Sequence, residues 1–276
     1  MAGKAQPTVR DRQVGIRLRT LRDARQMTLE QLAVGCGLSE STLHRIETGK
    51  RRISTEEVAM ITTALMVPIA ERQELIDFVV SGDKGGWWER PLPGVPKEMG
   101  LLASYEAEAN GLTDWSVLLV PGLLQIEPYA RAFMLTDGVP AEEADLRWVA
   151  RKRRQEILGT IDYTAFIYEG ALHVPFGGPE VHGQQIRHLM AASDRGIAVR
   201  VVREHLPISA LSHSWLYMTF PSVPPVVNVD VTGGGVYLQG DRSEPFTRQV
   251  AILNGVALSA SETRATLRGV LKEIRS

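Results

Sequence analysis

Apolar positions in the first eighty residues recur with the period of an amphipathic helix, and cap and turn residues interrupt them. This pattern predicts an all-α segment of five helices, the first at 13–25, the fourth at 55–66 and the fifth at 69–80. In the first helix Ile16, Leu18 and Leu21 supply the apolar face. Residues 1–11 are polar, so we expect a loose tail or an arm that reaches an adjacent minor groove.

The second and third helices are predicted within residues 28–50, TLEQLAVGCGLSESTLHRIETGK, and meet through one tight turn. Thr28 and Gln31 form a capping box that opens the first of them, and Ser39 caps the next. Gly37, between the two helices, can adopt the positive φ that such a turn requires. This spacing is that of a helix-turn-helix.

The same residues resemble the phage-repressor-like (Cro/XRE) DNA-binding domains over about residues 15–70. The matching phrases are LRTLRDARQMTLEQLA and GLSESTLHRIETGK, followed by a helix that opens at Ser54 with Glu57 in a second capping box. Arg22 and Glu47 fall where such domains place a buried ion pair. A pair of this kind specifies packing more than it adds stability.

The resemblance implies that the second helix of the motif lies in the major groove and turns its first residues toward base edges. Those residues are Glu40, Ser41, Thr42, His44 and Arg45. Arg45 can donate two hydrogen bonds to guanine, Glu40 can accept one from cytosine, and Thr42 offers a methyl or a hydroxyl. His44 fits a solvated helix face equally well.

Phosphate contacts are expected from Thr28 and from a basic corner formed by Lys50, Arg51 and Arg52. Many relatives carry a glutamine directly after the helix cap, where this chain has Leu29. The corresponding phosphate contact is therefore expected to be lost or to come from a main-chain N–H.

Residues 81–100, SGDKGGWWERPLPGVPKEMG, are dense in glycine and proline and predict a junction between a domain at 1–80 and a second at 101–276. We expect at least one of Trp87 and Trp88 to pack on the second domain; an exposed anchor for a partner is the alternative.

The second domain alternates helical and β-like stretches. Strands are predicted at 115–120, 163–168, 197–202, 214–220 and 226–231, and helices at 99–111, from 128, at 140–158, 179–193, 245–257 and 259–275. The expected fold class is therefore α+β, with a small mixed or antiparallel sheet faced by helices.

Four phrases of this domain are YEAEANGLTDWSVLLVPGLLQIEPYARAFM, RKRRQEIL, GGPEVHGQQIRHLM and ALSASET. Together they resemble a family, the WhiJ-like actinobacterial regulators. The matching positions are Trp115, Pro121, Gly122, Gln125, Tyr129, Arg131, Arg154 and Gln155. The resemblance implies a transcription regulator whose C-terminal domain receives a signal, commonly from a small partner protein encoded nearby, in an antitoxin-like arrangement.

Charge is divided unevenly along the 276 residues, although the formal net charge is only -1. Residues 1–54 hold 11 Lys and Arg against 5 Asp and Glu, whereas the remainder holds 20 against 27. The basic part coincides with the helix-turn-helix, as binding to phosphate requires. We expect a cytosolic protein, because the chain shows neither a signal-peptide core nor an apolar run long enough to span a bilayer.

The sequence offers few candidates for a catalytic, metal-binding or redox-active site. The six histidines lack metal-site spacing, Gly233–Gly235 fits a hairpin turn better than a phosphate cradle, and Cys36 fits a small buried residue better than a redox switch. The run RKRR at 151–154 is expected to be a solvated helix face, with a site for an acidic partner as the alternative. We expect no enzyme, no metal and no cofactor.

The sequence leaves three functional hypotheses. The first is a homodimeric transcription regulator that binds double-stranded DNA and does not bind membranes. The second is a module that sequesters a small protein, with DNA binding for autoregulation only. The third is a small-molecule sensor in which Trp115, Tyr129 and Tyr168 line an apolar pocket.

Overall fold

The computed structural model describes residues 9–80, 97–203, 208–221, 223–231 and 234–274. The chain divides into two compact units, Met1–Gly86 and Trp87–Ser276. Most of the predicted junction, with Trp87 and Trp88, lies outside the described residues, as do residues 1–8. Among the helices that the structure describes, none has the length and apolar character needed to cross a bilayer.

The first unit is helical, as predicted. Its described helices are α1 (Val9–Ala24), α2 (Leu29–Cys36), α3 (Glu40–Glu47), α4 (Thr55–Ala64) and α5 (Ile69–Val80). The predicted start of α1 at Gln13 was wrong, because the helix already begins at Val9 and residues 9–11 are not loose. Leu18 and Leu21 are buried as predicted, whereas Ile16 is only half-buried and Val14, which was not predicted, is fully buried.

The core of this unit is built from residues of all five helices. Fully buried members are Val14, Leu18, Leu32, Leu43, Ile46, Val58, Ile61 and Leu65. Helices α1 and α3 cross so closely that a Cβ built on Gly15 would lie 2.1 Å from the carbonyl oxygen of Ile46. Any side chain at position 15 would therefore push α3 away from α1.

The second unit combines a mixed sheet with helices. Its described elements are α6 (Lys97–Glu108), β1 (Gly111–Ser116), α7 (Glu127–Thr136), α8 (Ala141–Arg154), β2 (Asp162–Tyr168), α9 (Gly178–Asp194), β3 (Ala198–Val202), α10 (Ile208–Leu211), β4 (Trp215–Thr219), β5 (Val226–Val231), β6 (Gly234–Gln239), α11 (Glu244–Val256) and α12 (Ala260–Glu273). The strand order is β3-β2-β1-β4-β5-β6. Strands β1, β2 and β3 are parallel, and the remaining neighbours pair antiparallel.

The α+β class and the mixed sheet are confirmed, but the sheet is larger than predicted. Its six strands include β6, which the sequence pattern did not predict. The predicted strand at 115–120 was wrong in position, since β1 runs from Gly111 to Ser116. Helix α8 ends at Arg154, not at 158, and Gly234 and Gly235 lie in β6.

The two faces of the sheet differ in chemistry. One face carries the aromatic cluster of Trp115, Phe166, Trp215 and Tyr217, against which Leu253 of α11 packs. The opposite face carries the buried apolar side chains of Leu112, Leu216 and Met218 together with Asp114 and Asn228. Tyr105 of α6 stacks on Tyr237 of this face. At the β3 edge the main-chain groups of Val201 pair with the Thr263 hydroxyl and the Leu258 N–H.

Candidate nucleic-acid interface

Local caps fix the ends of the two helices in the motif. The Thr28 hydroxyl accepts from the Gln31 N–H at 3.1 Å, and the Gln31 side chain accepts from the Thr28 N–H at 2.9 Å. Gly37 ends α2 with φ 69°, and the Ser39 hydroxyl accepts from the Thr42 N–H at 3.2 Å. The predicted capping box, turn and cap are therefore confirmed.

A buried ion pair joins α1 to the end of α3. The guanidinium of Arg22 donates to both carboxylate oxygens of Glu47, at 2.7 and 2.8 Å, and also to the Met27 carbonyl at 2.8 Å. Hydrogen bonding to Glu47 raises the pKa of Arg22. Because Arg22 and Glu47 are both buried, the bidentate geometry fixes the angle at which α3 leaves the body of the unit.

The outer face of α3 carries the predicted base-reading residues. Glu40, Ser41, His44 and Arg45 are exposed, and Thr42 is half-buried. The hydroxyl of Thr42 accepts from Ser39 at 2.9 Å, so its oxygen is partly occupied by the cap. Within the described residues Arg45 forms no ion pair, which leaves its guanidinium available to a ligand.

The basic corner after α3 differs from the prediction in one respect. Arg51 donates to the Glu57 carboxylate at 2.8 Å, and Arg52 lies 3.7 Å from the carboxylate of Asp11. Lys50 is exposed and has no acidic partner in the part of the chain that the structure describes. Lys50 is therefore the freest cation of the corner, whereas Arg51 would have to leave Glu57 to contact a phosphate.

Three positions that sequence reasoning missed shape this surface. Gly15 permits the close crossing of α1 and α3, and the Asp11 carboxylate accepts from the Ile53 N–H at 2.9 Å. Gly49 has φ 61°, and a Cβ there would lie 2.5 Å from the Arg12 side chain. The position of Asp11 in the first turn of α1 is a weak sequence signal; the two glycines have no local signal.

The motif positions singled out in the second unit form a structural network. The Gln125 amide donates to the Val120 carbonyl at 2.6 Å, and the Gln155 amide donates to the Gln125 carbonyl at 2.8 Å. Arg154 makes a buried bidentate pair with Glu106, and Arg131 pairs with Asp145. These residues connect α6, α8 and the segment before α7. Their geometry accounts for a role in folding without any ligand.

Two expectations about the second unit need correction. The RKRR run is not a solvated face as a whole, because Arg154 is buried and Arg151 contacts Gln125 and the Phe133 ring. The three aromatic residues proposed to line one pocket are not gathered together. Trp115 and Tyr168 share the aromatic cluster, whereas Tyr129 packs edge-on against Phe176.

The structure also shows the surroundings of the cysteine and of the histidines that the sequence offered as candidate reactive residues. Cys36 is buried, and burial raises the pKa of its thiol. His182 is buried and its ring bonds to the Leu172 carbonyl at 2.8 Å. Among the described residues no three His, Cys, Asp or Glu side chains gather as metal ligands would.

Comparison with known protein families gives a separate match for each unit. A family model described as a helix-turn-helix domain matches residues 13–75. A second, the domain of unknown function DUF5753, matches residues 99–269 and so spans all the described strands. A search of curated proteins and a search of solved structures each gave no match. Neither family description names the WhiJ-like regulators, so that finer resemblance stays a prediction.

Proposed function

Because the chain belongs to the family of the domain of unknown function DUF5753 and carries a helix-turn-helix domain ahead of it, we propose that it is a sequence-specific DNA-binding transcription regulator. The observation that carries the proposal is the outer face of α3, with Arg45 exposed and without an ion pair in the described residues. The proposal includes no catalytic activity, no metal and no cofactor.

In the proposed complex α3 enters the major groove with its first two turns against base edges. Arg45 donates to guanine O6 and N7, while Glu40 accepts from cytosine N4. Ser41, Thr42 and His44 are the remaining residues of the α3 face that lies against the bases. The main-chain N–H groups of the first turn of α2, after Thr28, contact one phosphate, and Lys50 contacts another.

Arg45→Ala and Lys50→Ala are expected to affect binding in different ways. Arg45→Ala should cost roughly 1 to 3 kcal/mol on the preferred site and relax preference at one base pair. Lys50→Ala should weaken binding to all sequences alike and lower the salt slope by about 1. Fluorescence anisotropy with the preferred site and single-base variants of it, at several salt concentrations, separates the two effects.

Arg19→Ala provides a matched control, because Arg19 is exposed on α1 and lies 3.6 Å from Asp23. It removes one positive charge from the same unit without removing a proposed contact. If Arg45→Ala kept the full base preference of the parent protein, the proposed orientation of α3 would be wrong.

We further propose that the regulator acts as a homodimer. One such helix reads only a few base pairs, so useful affinity requires two of them on half-sites about 34 Å apart. Met66 and Ile69, on either side of the turn between α4 and α5, expose 82% and 80% of their surface. Exposed apolar side chains of this size are characteristic of interaction surfaces when they lie close together.

Met66→Glu combined with Ile69→Glu is expected to shift the protein from dimer to monomer in sedimentation experiments. Binding to a two-half-site operator should then weaken by about tenfold or more, since each half-site would be bound independently. Thr20→Glu combined with Ala24→Glu, at exposed positions on α1, adds the same two negative charges and is the charge-matched control. Tight binding by a monomeric parent protein would contradict the dimer proposal.

The second unit is proposed to receive a signal from a small partner protein encoded nearby. Residues 87–276 hold 21 Asp and Glu against 18 Lys and Arg, and this net negative charge supports the assignment, because an acidic unit is suited to a protein partner rather than to DNA. The competing proposal is an antitoxin-like module that sequesters its partner. Co-purification with the product of the neighbouring reading frame, with and without operator DNA, distinguishes them: a regulator's partner changes operator affinity, whereas a merely sequestered partner does not.

A further inference from the structure

The main chain that carries the basic corner is held against α1 at both of its ends. At the first end Gly49 is buried with φ 61°, and a Cβ built on it would lie 2.5 Å from Cγ of Arg12 and 2.8 Å from its Cα. At the other end the Ile53 N–H donates to the carboxylate of Asp11 at 2.9 Å. The basic corner lies between these two fixed points, so few residues of main chain are left to move.

The second fixed point depends on a single side chain. Asp11 lies in the first turn of α1 and is only 5% exposed. Its hydrogen bond to Ile53 is buried, and the Ile53 side chain belongs to the core of the first unit. A buried N–H without an acceptor is unfavourable. Without the Asp11 carboxylate, the main chain at Ile53 would have to turn outward to bond to water, and the basic corner would move with it.

The charge of Asp11 has the opposite effect on DNA binding from its hydrogen bond. Its second carboxylate oxygen lies 3.7 Å from Nε of Arg52, within the surface that is proposed to meet phosphate. If charge alone mattered, removing this carboxylate would strengthen binding, because it would free Arg52 and remove a repulsion from phosphate. If the hydrogen bond matters more, removing it weakens binding. The sign of the effect therefore separates the two roles.

We propose that Asp11 is a positioning residue for DNA binding, which fixes the main chain of the basic corner through the Ile53 N–H so that Lys50 meets a backbone phosphate. Asp11 itself does not contact DNA in this proposal. A cation that is already held in place loses less conformational freedom when it binds. The inference rests on the proposed function and deepens it, because it assigns part of the phosphate contact to α1.

The test measures binding of the full chain by fluorescence anisotropy at several salt concentrations. The probes are two labelled duplexes of equal length, one with the preferred site and one with the same bases in shuffled order. Asp11→Ala should lower the salt slope by about 1 and weaken binding to both duplexes about eightfold at about 0.1 M salt, since one phosphate contact changes log K by about 0.9 per tenfold change in salt. The preference between the duplexes should not change, because the α3 face is untouched.

Asp11→Asn separates the charge from the hydrogen bond. It removes the charge but keeps a side-chain oxygen that can accept from the Ile53 N–H. Asp11→Asn should therefore bind both duplexes at least as tightly as the parent protein. The matched control is Asp77→Ala, which removes the same charge at an exposed position on α5 and should bind within about twofold of the parent.

A double variant tests whether Asp11 acts through Lys50. When Asp11→Ala is added to Lys50→Ala, binding should weaken by less than about twofold, because the contact that Asp11 positions is already absent. A merely structural role would instead weaken binding equally with and without Lys50. Hydrogen–deuterium exchange of α1 and α3 peptides shows which variants are folded. If Asp11→Ala is not folded, Asp11→Glu replaces it, since it keeps a negative charge in the first turn of α1 but displaces the acceptor.

Three results would overturn the inference. The first is a folded Asp11→Ala, or Asp11→Glu where that replaces it, that binds as tightly as the parent protein or more tightly. The second is an Asp11→Asn that binds as weakly as Asp11→Ala, and the third is an equal loss in the Lys50→Ala background. Each of these leaves the base preference of the parent intact and so leaves the proposed function standing. A parent protein that bound neither duplex would overturn the proposed function and this inference together.

Discussion

Glu106→Ala is expected to lower the free energy of unfolding of the second unit by about 3 to 5 kcal/mol, because it leaves Arg154 buried without its counter-charge. Glu106 is 1% exposed and Arg154 8% exposed, so water can replace little of the lost interaction. All five tryptophans lie at residue 87 or later, and residues 1–86 contain neither tryptophan nor tyrosine. Tryptophan fluorescence during urea unfolding of the full chain therefore follows the second unit.

Glu156→Ala is the matched control for this prediction, since Glu156 is exposed just after α8. It should change the free energy of unfolding by less than about 0.5 kcal/mol. The double variant Glu106→Leu and Arg154→Met should recover much of the loss, because a buried pair can be replaced by apolar side chains at little cost. A Glu106→Ala variant as stable as the parent would show that the pair contributes nothing to folding.

Glu47→Ala is expected to have an effect of similar size on the first unit, about 3 to 5 kcal/mol. Arg22 would keep its bond to the Met27 carbonyl and its ion pair with the exposed carboxylate of Asp23 at 2.8 Å, but it would lose both hydrogen bonds to its buried partner. Hydrogen–deuterium exchange of peptides from α1 and α3 measures the loss in the full chain. Faster exchange should be confined to the first unit, because the pair has no member outside it.

The Glu47 change should also weaken operator binding, since the ion pair sets the orientation of α3. Glu74→Ala, at an exposed position on α5, is the control for both measurements. Protection of α1 and α3 at the parental level in Glu47→Ala would contradict the role assigned to the pair.

Local signals explain why much of the first unit could be predicted from the sequence. A cap needs only residues three positions apart, and the boxes at Thr28 and Ser54 both form as predicted. Gly37 likewise adopts the left-handed conformation that its place between two helices requires. The start of a helix without a cap signal was harder to predict, as the early start of α1 at Val9 shows.

Long-range contacts explain most of what the sequence did not reveal. The apolar run after Trp115 favoured a strand there, but β1 lies earlier and includes Asp114, whose carboxyl pairs with Tyr163 on the neighbouring strand. Arg154 similarly resembles a solvated helix residue until Glu106, 48 positions away, is placed beside it. Polar residues in such positions carry no local sign of burial.

In the candidate nucleic-acid interface, too, local sequence signals predicted some features and long-range contacts decided the others. The residues on the outer face of α3 could be named from helical spacing, because a short capped helix leaves little choice of face. The pairing of Arg51 with Glu57 could not be predicted, because an arginine in a basic run gives no indication of which carboxylate it will contact.

Selection of bound fragments from a random pool of double-stranded DNA tests the central claim most directly. If α3 reads bases as a dimer, the parent protein should enrich a motif of two related half-sites separated by about one helical turn, roughly 34 Å. Arg45→Ala should enrich a motif that has lost its guanine preference at one position in each half-site. Enrichment of no motif by the folded parent protein, or of the same motif by both proteins, would contradict the account.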